Sequence, residues 1–495
     1  MLIKSTASAP TPMESRSRFD YSGLTKLRLP FNWARWMRGC ALLSLSACLA
    51  FAQDGPVAGT SILHVTVVNV TTGEEQHDRT VKIKADRIVY IGPTQGADSA
   101  LAGAVDAHGA YLIPGFWDMH IHVHDTNELP LYIANGVTGV RIMSGRRDTA
   151  AYRAELASQA PSPEIYLASA IVDGVAPMWP GSIAVKGAAD ARRTVDEIKA
   201  SGADFIKVYN GISRDAYFAL ADEAKQRHIP FAGHVPDAIT AQEASAAGQR
   251  SMEHLLGIAV GCSSKQDILT GERNRAHFFK DYFAIDAEGY NSLVQDKCQA
   301  LFAEFRRNDT WQVPTLTLQR LWGRVDDSKF TSDGRLAYVG RASRNRWQDR
   351  LTPQRRRWSY ADYQLARNLF SIDERVVGSM FRAGVPILAG TDAMNPYCFP
   401  GFSLHDELAL LVESGLTPLA ALQAATINPA RFLGRSAELG TIEAGKIANL
   451  VLLRADPLAD IHNTTQIQGV WLQGKYFDEA ALAQMLEAAK QAARR

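Results

Sequence analysis

Between His120 and about Leu433 the chain alternates short apolar runs with helical stretches, and nothing else in the sequence constrains the fold as much. The runs are Val137–Met143, Glu164–Ile171, Phe205–Tyr209, Phe231–His234, Ser251–Leu255, Gln312–Leu316 and Val385–Ala389. With the strand leading into His120 they make about eight. Amphipathic segments such as Ala188–Ser201, Arg214–Arg227 and Ile372–Gly384 lie between several of them. Strand–helix repetition argues for a parallel sheet, and about eight units argue for an α/β fold closed into a (β/α)8 TIM barrel. In that fold reactive residues gather at the C-terminal ends of the strands.

The flanks read differently. Ile62–Val70, Arg79–Lys84 and Arg87–Ile91 alternate in polarity and are rich in β-branched residues, and Gly440–Leu453 and Ile467–Phe477 follow the same pattern. Two β segments around a long middle suggest a composite β-sandwich domain built from both chain ends. The expected organisation is an upstream extension and signal peptide over 1–52, sandwich strands over 53–113, the barrel over 114–437, further sandwich strands over 438–477, and a C-terminal helix over 478–495. An Arg- and Trp-rich stretch, 317–368, exceeds an ordinary strand–helix connection and reads as a helical insertion over the barrel mouth. A solvated helical hairpin is the alternative.

Arg35 and Arg38, the apolar run Gly39–Phe51 and the small-residue site Ala50-Phe51-Ala52 have the parts of an export signal, with translation starting at Met37 rather than Met1. The run is too short to span a bilayer, so no integral membrane span is expected there. Leu45-Ser46-Ala47-Cys48 also resembles a lipoprotein box, which would place a lipid anchor on Cys48; cleavage after Ala52 is the other reading. Either way the protein is exported, to the periplasm or beyond. After the signal three cysteines remain, Cys262, Cys298 and Cys398, enough for one intrachain disulfide, with Cys262–Cys298 as the expected pair and buried free thiols as the alternative. A net charge of +1 supplies no bulk electrostatic reason to expect nucleic acid.

Chemistry concentrates at the strand ends. Side chains alternate along a strand, so in Pro114-Gly-Phe-Trp-Asp-Met-His-Ile-His122 the imidazoles of His120 and His122 point to one cavity, as a pair of metal ligands would. Asp118 shares their parity and is placed to accept hydrogen bonds beneath them. Lys207, His234, His254 and Asp392 each lie in or just after an apolar run, before a loop. Three further residues are candidate substrate contacts. Tyr209 shares the parity of Lys207, His124 continues that of His120, and Arg141, one strand later, would bind a substrate carboxylate.

These stretches together resemble the amidohydrolase superfamily, particularly its imidazolonepropionase-like and Xaa-Pro-dipeptidase-like members. The resemblance runs through Pro114–His122, Phe205–Tyr209, Gly233–Pro236, Glu253-His254, Ala389–Ala393, Ala424–Ala430 and Gly440–Lys446. It implies two divalent ions, usually zinc. His120, His122 and Asp392 would hold one ion and His234 and His254 the other, bridged by Lys207 after its amine captures CO2 as a carbamate (N6-carboxylation). It also implies a small-molecule amide substrate, dipeptide-like or an N-acyl amino acid. A bridging hydroxide would attack the carbonyl, with Asp392 as general base returning the proton to the leaving nitrogen. A mononuclear cyclic-amide hydrolase or deaminase and a non-catalytic exported binding protein are the rival readings, and a homo-oligomer is compatible with each.

Overall fold

The computed structural model describes residues 60–96, 103–276 and 279–494; the signal segment, Met37, Cys48 and Ala52 lie outside them. The alternating N-terminal runs form β1 (Ser61–Val68), β2 (Glu75–Lys84) and β3 (Arg87–Pro93), followed by the short β4 (Val105–Asp106) and β5 (Tyr111–Pro114). β1 and β2 pair antiparallel, as do β2 and β3, whereas β4 and β5 run parallel to β1.

A second series begins one residue on. β6 (Phe116–Ile121), β7 (Val137–Ile142) and β8 (Glu164–Leu167) pair in parallel, and every residue of β6 and β7 is buried. Two short strands follow, β9 (Val172–Asp173) and β10 (Ile183–Ala184), lying beside the next main strand. β11 (Ile206–Val208), β12 (Phe231–Gly233), β13 (Ser251–Glu253) and β14 (Trp311–Val313) continue the parallel order. Single bridges join Ala168 to Phe205, Gln312 to Ile387 and Ile121 to Ala393, all parallel, so the segment 387–393 links β14 back to β6. That eighth segment makes isolated hydrogen bonds, such as Leu388 N to Gln312 O at 2.9 Å, rather than the regular strand expected over Val385–Ala389. Pro386 supplies no N–H to a ladder there.

The late strands β15 (Leu450–Leu453), β16 (Ile467–Leu472) and β17 (Lys475–Asp478) return to the first sheet, β15 pairing antiparallel with β5. Both chain ends thus contribute to one eight-stranded sheet. The expected two-sheet sandwich is instead a single hydrogen-bonded sheet that curls, because Arg87 at the start of β3 bridges Ile447 just before β15. The curl encloses a core that includes Ile62, Val81, Leu112, Leu450 and Trp471.

Helices cover the parallel strands. The helix Ala188–Ser201 buries Ala191, Thr194, Val195 and Ile198 at helical spacing and stops at Gly202, whose φ of 79° is the left-handed cap geometry glycine adopts at low cost. The insertion contains the helices Leu316–Arg324 and Arg341–Arg357. Its expected boundary at 368 falls inside one continuous helix, Tyr360–Arg382, which absorbs the separately expected Ile372–Gly384 segment. A Ser359–Asp362 capping box starts that helix, and no proline interrupts it. The terminal helix Glu479–Ala493 packs one face, burying Leu482, Ala489 and Ala493. No helix among the described residues is long and apolar enough to cross a membrane.

Candidate metal centre

β6 delivers His120, the residue just after the strand is His122, and the segment closing onto it delivers Asp392. The close fit of the two requires Gly390, since a Cβ there would lie 2.6 Å from Val313 Cγ1 and 2.8 Å from His120 Cβ. Asp118 ties the same two segments together, accepting from Thr391 N at 3.0 Å, Thr391 Oγ1 at 2.6 Å and His120 N at 3.2 Å. It therefore supports backbone rather than an imidazole ring. Burial, opposed by these bonds, pushes its carboxyl up to about 7.

Three imidazoles converge on the Asp392 carboxylate. Nε2 of His122 lies 2.9 Å from Oδ1, Nε2 of His120 3.4 Å from Oδ1, and Nε2 of His254 3.9 Å from Oδ2. His254 and Asp392 both adopt left-handed φ, 63° and 58°, a conformation held only where surrounding structure enforces it. The His234 ring centre is 4.9 Å from that of His254.

On the far side of the rings, Nδ1 is held by oxygen: Glu253 Oε2 at 2.7 Å for His120, Asn210 Oδ1 for His234, and Thr315 Oγ1 at 2.7 Å for His254. A carboxylate and an amide oxygen only accept, so His120 and His234 carry their proton on Nδ1 and present the Nε2 lone pair to the cavity. Burial pushes the imidazoles down, to about 3 for His120 and about 4 for His254, so both rings are neutral at physiological pH. Asp392 stays well below the usual carboxylate range, burial being outweighed by the imidazoles around it.

This arrangement fits a cation. His120, His254 and Asp392 offer ligand atoms all within 4.8 Å of one another, and His120 Nε2 and Asp392 Oδ1 are buried with no aligned hydrogen-bond partner. Leaving such groups unsatisfied costs roughly 1–3 kcal/mol each, a penalty that a metal ion between them would remove.

Lys207, from β11, is 1% exposed. Its side chain runs past Gly233 of β12, where a Cβ would meet Val208 O at 2.3 Å and Lys207 Cδ at 2.9 Å; the φ of 137° there also suits glycine. Burial lowers the Lys207 ammonium to about 8, while Glu253 and Asp392 pull it upward.

The remaining expected contacts fall in different places. The Tyr209 ring packs at a tilt of 31° against His234, ring centres 4.0 Å apart, and its hydroxyl accepts from Trp179 Nε1 at 2.8 Å. His124 lines a groove of about 240 Å3 with Asp125, Glu128 and Arg346. Arg141 requires a correction, because it is not at the mouth. Fully buried, it donates to Glu253 at 3.0 and 3.1 Å, to Ser251 Oγ at 2.8 Å and to Met119 O at 2.5 Å. Its charge serves Glu253: burial alone would raise that carboxyl, but Arg141 and the His120 hydrogen bond hold it well below the usual range. Glu253, Asn210 and Thr315 were missed by sequence reasoning as partners of the rings; only the unusual charge of Glu253 inside an apolar strand signalled one of them. Cys262 and Cys298 form the expected disulfide, and Cys398 is a buried free thiol.

Residues 350–476 match the Amidohydrolase family. The imidazolonepropionase of Aromatoleum aromaticum is 42% identical over 83 residues, which are 16% of this chain and 19% of that protein. The chain thus matches about a fifth of that relative's length. Bottromycin amidohydrolase shares the fold with a TM-score of 0.69 and 26% identity, over 89% of this chain and 91% of its own. A Xaa-Pro dipeptidase shares it with a TM-score of 0.61 and 18% identity, over 85% and 100%.

Proposed function

We propose that this chain, whose residues 350–476 match the Amidohydrolase family, is an exported metal-dependent hydrolase that cleaves a C–N amide bond. Its substrate on this reading is dipeptide-like or an N-acyl amino acid. We read the closed series of parallel segments as a (β/α)8 barrel and the curled sheet as its composite companion domain. Export is consistent with the Cys262–Cys298 pair, since disulfides persist in oxidising compartments.

The observation that carries the reading is the orientation of the rings: Nε2 atoms face Asp392 while Nδ1 atoms are held by oxygens from behind. His120, His122 and Asp392 would hold one ion and His234 and His254 a second, with Lys207 as a carbamate between them. Ions held there would acidify a water and polarise the scissile carbonyl. The chain's own groups do the rest. Asp392 accepts a proton at its carboxylate and delivers it to the leaving nitrogen. Glu253, Asn210 and Thr315 keep the rings in place throughout. The Tyr209 ring walls the pocket beside His234.

The test is metal analysis of the purified full chain together with hydrolysis of a dipeptide and N-acyl amino acid panel. The expected result is about two divalent ions per chain and turnover that is lost on chelation and restored by zinc. Turnover that survives complete metal removal, or no hydrolysis anywhere in the panel, would overturn it. A second reading, a mononuclear cyclic-amide hydrolase, is favoured by the tight three-ligand set His120, His254 and Asp392. One ion per chain with Lys207→Ala still active would select it.

A further inference from the structure

The helix Arg341–Arg357 is anchored by Trp347 and Leu351, both buried in a cluster with Leu321, Trp322, Tyr397 and Phe399. Trp347 Nε1 donates to Met394 O at 3.1 Å, which fixes the helix against the chain just beyond Asp392. Arg350 lies in the same helix, one turn after Arg346. Its Nη1 donates to Asn395 Oδ1, and Asn395 Nδ2 donates in turn to Asp392 O at 2.9 Å.

The guanidinium is flanked by two indoles, its carbon 5.6 Å from the ring centre of Trp179 and 5.6 Å from that of Trp322. Trp179 is the residue that hydrogen-bonds Tyr209, so an unbroken chain of contacts leads from the guanidinium to His234.

Three other arginines of the insertion are held by carboxylates. Arg320 and Arg335 pair with Asp406, and Arg367 pairs with Asp326. Among the described residues no carboxylate lies within ion-pair distance of Arg350, and only Nη1 is engaged in a hydrogen bond. A half-buried arginine with its fork held in place by aromatic faces is suited to a planar anion.

We infer that Arg350 is a specificity-determining residue that receives the carboxylate of the substrate, so that acids are preferred over their neutral amides. This inference rests on the amide-hydrolase reading above and gives Arg350 the role that Arg141 cannot fill. A purely structural role as a strut between the insertion and the loop of Trp179 predicts no such charge preference.

The test is calorimetric binding of N-acetyl-L-methionine and N-acetyl-L-methioninamide to the full, metal-loaded protein and to Arg350→Gln and Arg350→Lys. The wild type should bind the acid about tenfold more tightly than the amide, and Arg350→Gln should bring the ratio within about threefold. Arg350→Lys should keep part of the preference, and affinity for the amide should be the same in all three proteins. Equal affinities in the wild type, no measurable binding of either probe, an unchanged ratio in Arg350→Gln, or equal weakening of both probes would each overturn the inference. Hydrolysis of the same two compounds is scored separately: acid preference without turnover removes the hydrolase reading and leaves the anion site standing.

Discussion

His120 and Glu253 meet at 2.7 Å, Nδ1 to Oε2, with neither side chain exposed to solvent. The contact spans 133 residues of sequence and turns a strand histidine into an oriented, neutral ligand. Glu253 is itself held by Arg141 and by Ser251 Oγ at 2.5 Å, so the ring rests on a buried charged network. Such a network is stable only while all its members are present.

Removing Glu253 should therefore act on metal and on folding together. Glu253→Gln is expected to weaken metal affinity by roughly 10–100-fold, the usual cost of losing the acceptor behind a ligand histidine. Glu253→Ala should also destabilise the fold by roughly 3–5 kcal/mol, because it leaves the Arg141 guanidinium buried without its partner. Chelator competition and urea denaturation measure the two effects. Unchanged values for Glu253→Ala in both assays would count against the network.

Lys207→Ala tests whether the strand lysine belongs to the centre. The variant is expected to lose about one ion per chain and to lower kcat/KM by at least roughly 100-fold, since several kcal/mol of charge stabilisation would go with the ion. Metal analysis and steady-state kinetics on one preparation give both numbers. Full metal content with wild-type rates would remove Lys207 from the site.

Asp373 accepts from Tyr290 at 2.8 Å, and burial, reinforced by the charge of Asp286, pushes its carboxyl up to about 8. A folded-state value above the unfolded one stabilises the protein fully below the ordinary carboxylate pKa, and that stability drains away as pH rises towards 8. Asp373→Asn keeps the acceptor oxygen and cannot ionise. It should therefore gain about 1 kcal/mol over wild type at pH 8, discounted for the partial exposure of the side chain, and little at pH 4. Denaturation midpoints across that range decide it; a difference that does not grow with pH would refute the prediction.

The Cys262–Cys298 bridge closes a separation of 36 residues between two helical regions. A loop of that length predicts a loss of roughly 3–4 kcal/mol when both cysteines become serine. Urea midpoints of the double variant, and of wild type with and without reductant, measure it. Insensitivity to both changes would show that the bridge does not form in solution.

Much of the centre was legible from local pattern alone. His120 and His122 face one cavity because a strand repeats every two residues, Lys207 lies inside an apolar run, and His234, His254 and Asp392 stand where such runs end. What the pattern could not supply was the identity of partners across space. Arg141 was expected to bind a substrate carboxylate, yet it is fully buried and its charge is compensated by a carboxylate on β13. Arg350 was one arginine among several in the insertion until folding placed it between Trp179 and Trp322.

The sequence by itself determined which residues are offered at the ends of strands and on which face, since that information is carried by neighbours two to four positions apart. Only the tertiary structure decided what stands behind each imidazole, that Arg350 sits between two indoles, and that the two flanking β segments merge into a single curled sheet. Those outcomes depend on packing and charge compensation between segments at least 24 and, behind His120, 133 residues apart, where no local periodicity reaches.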